Sequence, residues 1–473
     1  MLKNRLKDIL KDSSIYGISK ILGQVISFFL IPLYTSYLNP SDYGVLTMIG
    51  IMTSSMSLLM TFGIDSSTYR FVGLSKEQED QKQYSSTAQL ITLMTSLVII
   101  SVALIFIDKL NVLFVSKNSD IVFLIIGLCI AFFDTSSTIP RAYLRINRKP
   151  NLIAIASLIN ILTSILFTIL LVVVLKLGII GALIGNLSGS ICSSLFLIFK
   201  SKISNIHGFS KVKSTELIKY SLPVLPSQIF AFLIPIYSQW SLKNYFTLDQ
   251  LGIYSIALKF TIPISVLLSM FQQAYAPYKF EIFNKDEHPQ KTFSEILNMF
   301  VLFFGTILLI IAFYGGYLLK FMTNSSFHEA ANYIFYIALI PLAQGLYFMF
   351  GTGVEFAKNP IFRPIISAAG LLTVILLNKF CIDHWGVAGA AISIVFGWLV
   401  MGVLLFLYSQ QLYKISYQWW LIVPFLFLVV FFSYSFNEIN NQNIIKKIGI
   451  TLSIILFVAY YMNGKLNTLK IKK

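Results

Sequence analysis

Apolar residues in this chain come in blocks of roughly twenty, separated by short polar connections. Blocks of that length cross the ~30 Å hydrocarbon core of a bilayer when coiled as helices rising ~1.5 Å per residue. Fourteen qualify: 14–38, 43–63, 86–107, 120–140, 151–175, 178–199, 217–241, 250–275, 293–314, 331–352, 362–381, 386–408, 419–436 and 446–463. The pattern predicts an all-α polytopic membrane protein of about 14 transmembrane helices.

The pattern also repeats. Phe29–Tyr34 (FLIPLY) returns as Phe232–Tyr237 (FLIPIY), and Asp42-Tyr43-Gly44 is answered by Gln250-Leu251-Gly252 at an offset of 208 residues. The same offset carries Gly178-Ile-Ile-Gly-Ala-Leu-Ile onto Gly386-Val-Ala-Gly-Ala-Ala-Ile. Six blocks precede the second copy, so both copies enter the membrane from one side, the arrangement of a parallel repeat. This predicts a six-helix lobe over 1–205, a second over 206–410, and a two-helix C-terminal segment over 411–473.

Composition agrees with lipid as the solvent. Of 473 residues, 56% are hydrophobic and 12% charged, about half the charged share of an average soluble domain. The net charge of +16 does not point to nucleic acid, because Lys and Arg fall in the gaps between apolar blocks. Of the 36 basic residues, 26 lie in connections on one side and eight (Lys109, Lys117, Lys176, Lys243, Lys320, Lys379, Lys446, Lys447) on the other. The richer side is assigned to the cytoplasm, with both termini there, in the cytoplasmic (inner) membrane. Met1–Asp12 is amphipathic and contains acids, and no cleavage site follows it, so it reads as a surface helix before an uncleaved first span. Cys129, Cys192 and Cys381 show no paired spacing that would suggest a disulfide or a metal.

No connection is long enough to fold as a domain, and no Walker-type phosphate loop, HExxH or GxSxG is present. His207, His288, His328 and His384 are scattered, and the acidic connections Lys76–Asp80 and Lys285–Glu287 read as solvated loops. The expectation is a transporter without enzymatic activity or cofactor.

Two basic residues remain inside spans: Lys20 and Lys259. A mid-bilayer charge costs roughly 2.5–3.5 kcal/mol on insertion scales and marks a candidate site; the competing explanation is snorkelling to the headgroups. Neither has a basic mate in the other copy, since Ile51 answers Lys259 and Pro223 answers Lys20. One cation on each half suits an anion such as a phosphate. Among acids, Asp65 lies near Arg70, where structural pairing is expected. Asp134 lies two helical turns before Arg141 and reads either as a proton-coupling acid or as a partner of a basic residue. Glu355 reads as interfacial.

Pro223, Pro226 and Pro235 crowd the seventh span and should bend it; Pro32 and Pro263 are similar candidates. Gln24, Gln228, Gln239, Gln272 and Gln273 put uncharged donors on the first, seventh and eighth spans, suited to sugar hydroxyls, although helix–helix hydrogen bonding explains any single one equally well.

The stretches LIPLYTSYLNPSDYGVLTMI, FGIDSSTYRF and IPRAYLRINRKPN resemble the oligosaccharide flippase family of polysaccharide biosynthesis, over about residues 1–410. That family shares a superfamily with the multidrug and toxin extrusion exporters and the lipid II flippases. The resemblance implies two six-helix lobes around a cationic cavity, alternating access, and an undecaprenyl-pyrophosphate-linked oligosaccharide as substrate. Membrane lipids, a polysaccharide polymerase and glycosyltransferases would be the partners of a monomeric carrier. Lys20 and Lys259 stand on the helices where lipid II flippases carry essential basic residues, with Lys in place of the usual Arg. Lys binds a phosphate as a point charge and lacks the bidentate fork of Arg. Arg70, Arg141 and Arg145 would form a basic cytoplasmic entry. A cation-coupled multidrug-type exporter is the alternative, and a lipid-modifying enzyme or scaffold is a third reading for which no catalytic cluster is found.

Overall fold

The computed structural model describes residues 24, 28–75, 77–115, 120–203, 208–356, 362–436 and 443–470. The described chain is helical, and among these residues ten helices are long and apolar enough to cross a membrane. Two further pairs pass as bent spans, Lys211–Pro223 with Gln228–Tyr245 (51°) and Leu248–Phe260 with Ile262–Gln273 (46°), for up to twelve. The fourteen expected from apolar blocks are not all reached. Trp419–Ser435 is a shorter helix of 17 residues, and most of block 14–38 lies outside the described residues.

By packing, the chain forms two compact units: Met1–Ile236 with Lys243–Gly252, and Tyr237–Leu242 with Ile253–Lys473. This is a division by contact and differs from the boundary read from the repeat. The helix Lys211–Tyr245 contributes to both units.

In the first unit the repeat has a physical meaning. Asn39 caps the helix Pro40–Thr61: its Oδ1 accepts from the Asp42 amide (2.8 Å) and the Asp42 carboxylate accepts from the Asn39 amide (3.1 Å). Such a capping box satisfies two orphan donors, and replacing its cap residue by Ala costs about 1 kcal/mol. Thr247, 208 residues on, starts the helix Leu248–Phe260 in the same way, its Oγ1 accepting from the Gln250 amide (3.4 Å). Gly44 and Gly252 sit one turn into these two helices and let their backbones touch. A Cβ on Gly44 would lie 2.0 Å from the Leu248 carbonyl oxygen, and one on Gly252 would lie 1.9 Å from that of Pro40. Leu248 is the repeat-mate of Pro40, so the contact is reciprocal.

The other repeated stretch is also a close-packing device. Gly181, Gly185 and Gly189 bring the helix Gly178–Ser201 against the backbone of Pro150–Val174. In the second unit Gly389 and Gly397 do the same for Val387–Leu412 against Arg363–Trp385. Without a hydrophobic force between helices in lipid, such small residues supply the contact area. Both helices begin at a glycine with positive φ, Gly178 (+54°) and Gly386 (+57°).

The second unit is built around Pro289–Met322, whose Phe293, Phe300, Phe304 and Phe313 are all buried. Phe271, Tyr275 and Leu268 pack on it from one side, and Phe425 and Val429 of Trp419–Ser435 from another. In both units large apolar side chains such as Leu97, Leu166, Leu376 and Leu456 stand exposed, as a lipid-facing surface requires.

Candidate functional site

Lys259 lies two residues before the break in the eighth apolar block. Pro263 has no N–H, so the Lys259 carbonyl loses its partner one turn ahead, and the chain turns 46° there. Thr261 helps to close the break: its amide and hydroxyl both reach the Leu258 carbonyl, at 3.2 and 2.9 Å. The Lys259 side chain is half-buried and has no ion pair or hydrogen bond among the described residues. In the same helix the Tyr254 hydroxyl is buried without a partner among the described residues. A helix broken beside a partly buried, uncompensated cation is chemically equipped to hold an anion. Lys20, the other candidate cation, lies outside the described residues.

The glutamines separate by environment. Gln228 is engaged in the first unit, donating to Ser66 Oγ (3.0 Å). Gln24 has a buried side-chain oxygen with no partner among the described residues. In the second unit Gln239 is half-buried and engaged, Gln272 is half-buried, and Gln273 is exposed.

The acids of the first unit do not pair as expected. No ion pair joins Asp65 to Arg70. Arg70 instead lies over the Tyr220 ring, 4.7 Å from its centroid. Asp134 is exposed, with Ser190 and Arg141 as its polar neighbours and no ion pair to Arg141. Arg141 is half-buried on Thr138–Ile146, and Arg145 is exposed in the last turn of that helix. The side chain of Glu355 lies outside the described residues.

Two polar assemblies had not been expected. In the first unit Lys213 bonds the Asp80 carboxylate and Gln83 Oε1 (2.6 Å), with its ammonium 4.5 Å from the Tyr84 ring centroid. Tyr84 donates to Glu216 (2.6 Å), and Phe71 stacks on Tyr84 at 5.5 Å. The acidic stretch ending at Asp80, read as a solvated loop, is thus bound at Asp80 to the start of Lys211–Tyr245. Near the other end of that helix Lys243 Nζ donates to the carbonyls of Val112 (2.6 Å) and Leu113 (2.8 Å), closing the end of Ile107–Phe114.

In the second unit Asn378 joins three buried serines. Its Nδ2 donates to Ser238 Oγ and Ser393 Oγ (both 3.0 Å), and its Oδ1 accepts from Ser241 (2.6 Å). Ser238 donates to the Ala390 carbonyl (2.6 Å), so Tyr237–Leu242 is stitched to two other helices. The sequence signal was Ser238 and Ser241 on one helical face with an Asn inside an apolar block. Among the described residues no group of three or more His, Cys, Asp or Glu is placed to hold a metal ion.

The multi-span helical architecture is that of known flippases and drug transporters. A solved lipid II flippase, MurJ in an inward closed conformation, superposes with a TM-score of 0.75 over 95% of this chain and 99% of its own, at 17% identity. A MATE transporter in the straight conformation gives 0.60 over 86% of this chain and 95% of its own, at 16% identity. An inward-facing MATE multidrug resistance transporter of the MOP superfamily gives 0.61 over 82% and 94%, at 14% identity. No curated protein sequence matches the chain. The profile of the polysaccharide biosynthesis protein family matches residues 36–332, and the chain belongs to that family.

Proposed function

We propose that the protein is a flippase that carries an undecaprenyl-pyrophosphate-linked oligosaccharide across the cytoplasmic membrane for surface polysaccharide synthesis, by alternating access and without catalysis. The observation that carries this reading is Lys259, half-buried at a broken helix with no carboxylate against it among the described residues. Family membership supplies the polysaccharide context, and the fold is shared with a lipid II flippase. Lys20 and Lys259 bind the pyrophosphate; Gln24, Gln228, Gln239, Gln272 and Gln273 meet sugar hydroxyls; Arg141 and Arg145 attract the anionic headgroup. Arg70 is the weakest member of that entry, since the Tyr220 ring already occupies its guanidinium. The carrier acts as a monomer beside a polymerase and glycosyltransferases, with both termini in the cytoplasm. The duplication boundary near residue 205 and the C-terminal pair from 411 remain part of this reading.

In a strain deleted for the gene, Lys20→Ala and Lys259→Ala each abolish surface polysaccharide while the protein still reaches the membrane. Lys259→Arg keeps the charge and retains partial function. Normal polysaccharide in both Ala variants sinks the site assignment. The fold shared with MATE transporters and the exposed Asp134 favour a cation-coupled exporter as the second reading. That reading requires drug resistance on overexpression, lost in Asp134→Asn, and no polysaccharide defect.

A further inference from the structure

The connection between Val387–Leu412 and Trp419–Ser435 is clasped at both ends. Gln410 donates to the Ile415 carbonyl (2.8 Å) and accepts from the Ile415 amide (2.9 Å), and Gln418 accepts from Asn298 (2.8 Å). Behind it Phe350, Phe406, Tyr417 and Trp419 form a cluster in which every pair of ring centroids lies 5.3 to 6.2 Å apart. The connection and this wall bound an open recess of about 520 Å³. It is lined by the aromatic rings of Phe406, Tyr417 and Trp419 together with Gln411, Lys414 and Ser416. Lys414 is exposed and has no ion pair among the described residues. Trp419 and Trp420 are 41% and 72% exposed, as indoles are at the boundary between headgroups and hydrocarbon.

We propose that this recess binds the headgroup of an anionic glycerophospholipid from the Lys/Arg-rich side of the membrane. The phosphate sits on Lys414 and the Ser416 hydroxyl, and the glycerol and upper acyl chains lie on Tyr417 and Trp419. The chemistry selects this occupant. A single uncompensated cation at headgroup depth suits one phosphate, and the aromatic lining suits the apolar part that a free phosphate lacks. The preformed connection lowers the ordering cost of binding. The site lies wholly within the second unit, and the proposal holds whichever cargo the protein carries.

The test uses the full-length protein in phosphatidylcholine nanodiscs containing a minor fraction of photoreactive phosphatidylglycerol, with cross-links mapped by peptide. The wild type labels residues 406–420. Lys414→Glu lowers that labelling about fivefold or more, since one basic residue near an anionic surface is worth about 1 kcal/mol. Lys414→Arg retains it, and a photoreactive phosphatidylcholine labels both proteins weakly. Unchanged labelling of Lys414→Glu in a monodisperse sample overturns the proposal. So does equal labelling by the zwitterionic probe, and displacement by excess inorganic phosphate reassigns the recess to free phosphate and overturns it as well.

Discussion

Gly44 and Gly252 occupy equivalent places 208 residues apart, and each abuts the carbonyl that the other's helix presents one turn earlier. The facing atoms are backbone, so they cannot give way as a flexible side chain would. Gly44→Ala and Gly252→Ala should each destabilise the protein by about 1–3 kcal/mol, the usual range for overpacking. The double variant should cost less than the two singles together, because one separation relieves both clashes. Gly50 is the control, since a methyl group there would meet nothing within 4 Å: Gly50→Ala should be neutral or gain up to about 1 kcal/mol. Thermal unfolding in detergent reads all four, and fully additive singles would dissolve the reciprocity.

Pro263→Ala returns an N–H to the Lys259 carbonyl and lets the helix run straight. Polysaccharide export should fall while thermal stability holds or rises, since proline inside a helix costs about 3 kcal/mol and somewhat less near a new helix start. Loss of stability together with export would make the bend structural.

Asn378→Ala should cost about 1–3 kcal/mol by leaving a buried serine group short of three hydrogen bonds, and Ser241→Ala about 1 kcal/mol by removing one of them. Chemical unfolding in detergent ranks the two. The reverse order would show that Asn378 does not organise the cluster.

Lys213→Ala should destabilise the first unit more than Asp80→Ala, because the ammonium also reaches Gln83 and the Tyr84 ring. A double-mutant cycle on the Lys213–Asp80 pair should give about 1 kcal/mol or less, shrinking in high salt. Coupling that persists at high salt would mean that the pair acts as a direct hydrogen bond rather than as a screened ion pair.

What the sequence disclosed follows from the range of each interaction. Helical blocks and the bends at the prolines of the seventh and eighth blocks depend on residues within a turn of one another and were legible; the caps at Asn39 and Thr247 are equally local but came only from the structure. The repeated stretches were visible because the glycines at their close contacts tolerate little else. Pairs such as Lys213–Asp80 and Asn378–Ser238 join residues more than 130 positions apart; a local pattern can flag Ser238, Ser241 or Asn378 as polar, but not which residue each will meet. The Asp65–Arg70 pairing failed for the same reason: spacing along one helix suggested it, and an aromatic ring from a distant helix took the arginine. Lys259 was found as a lone charge in an apolar block, which needs no partner to be visible.

A contact in which residue 44 meets 248 and residue 252 meets 40 has the pairing rule of a two-fold homodimer, carried inside one polypeptide. In a true dimer every substitution strikes both partners at once. On the proposed duplication that constraint is lifted: position 259 carries a cation while Ile51, its counterpart in the repeat, is buried and apolar. The glycine contact treats the two repeated stretches alike, and the lysine is where they differ.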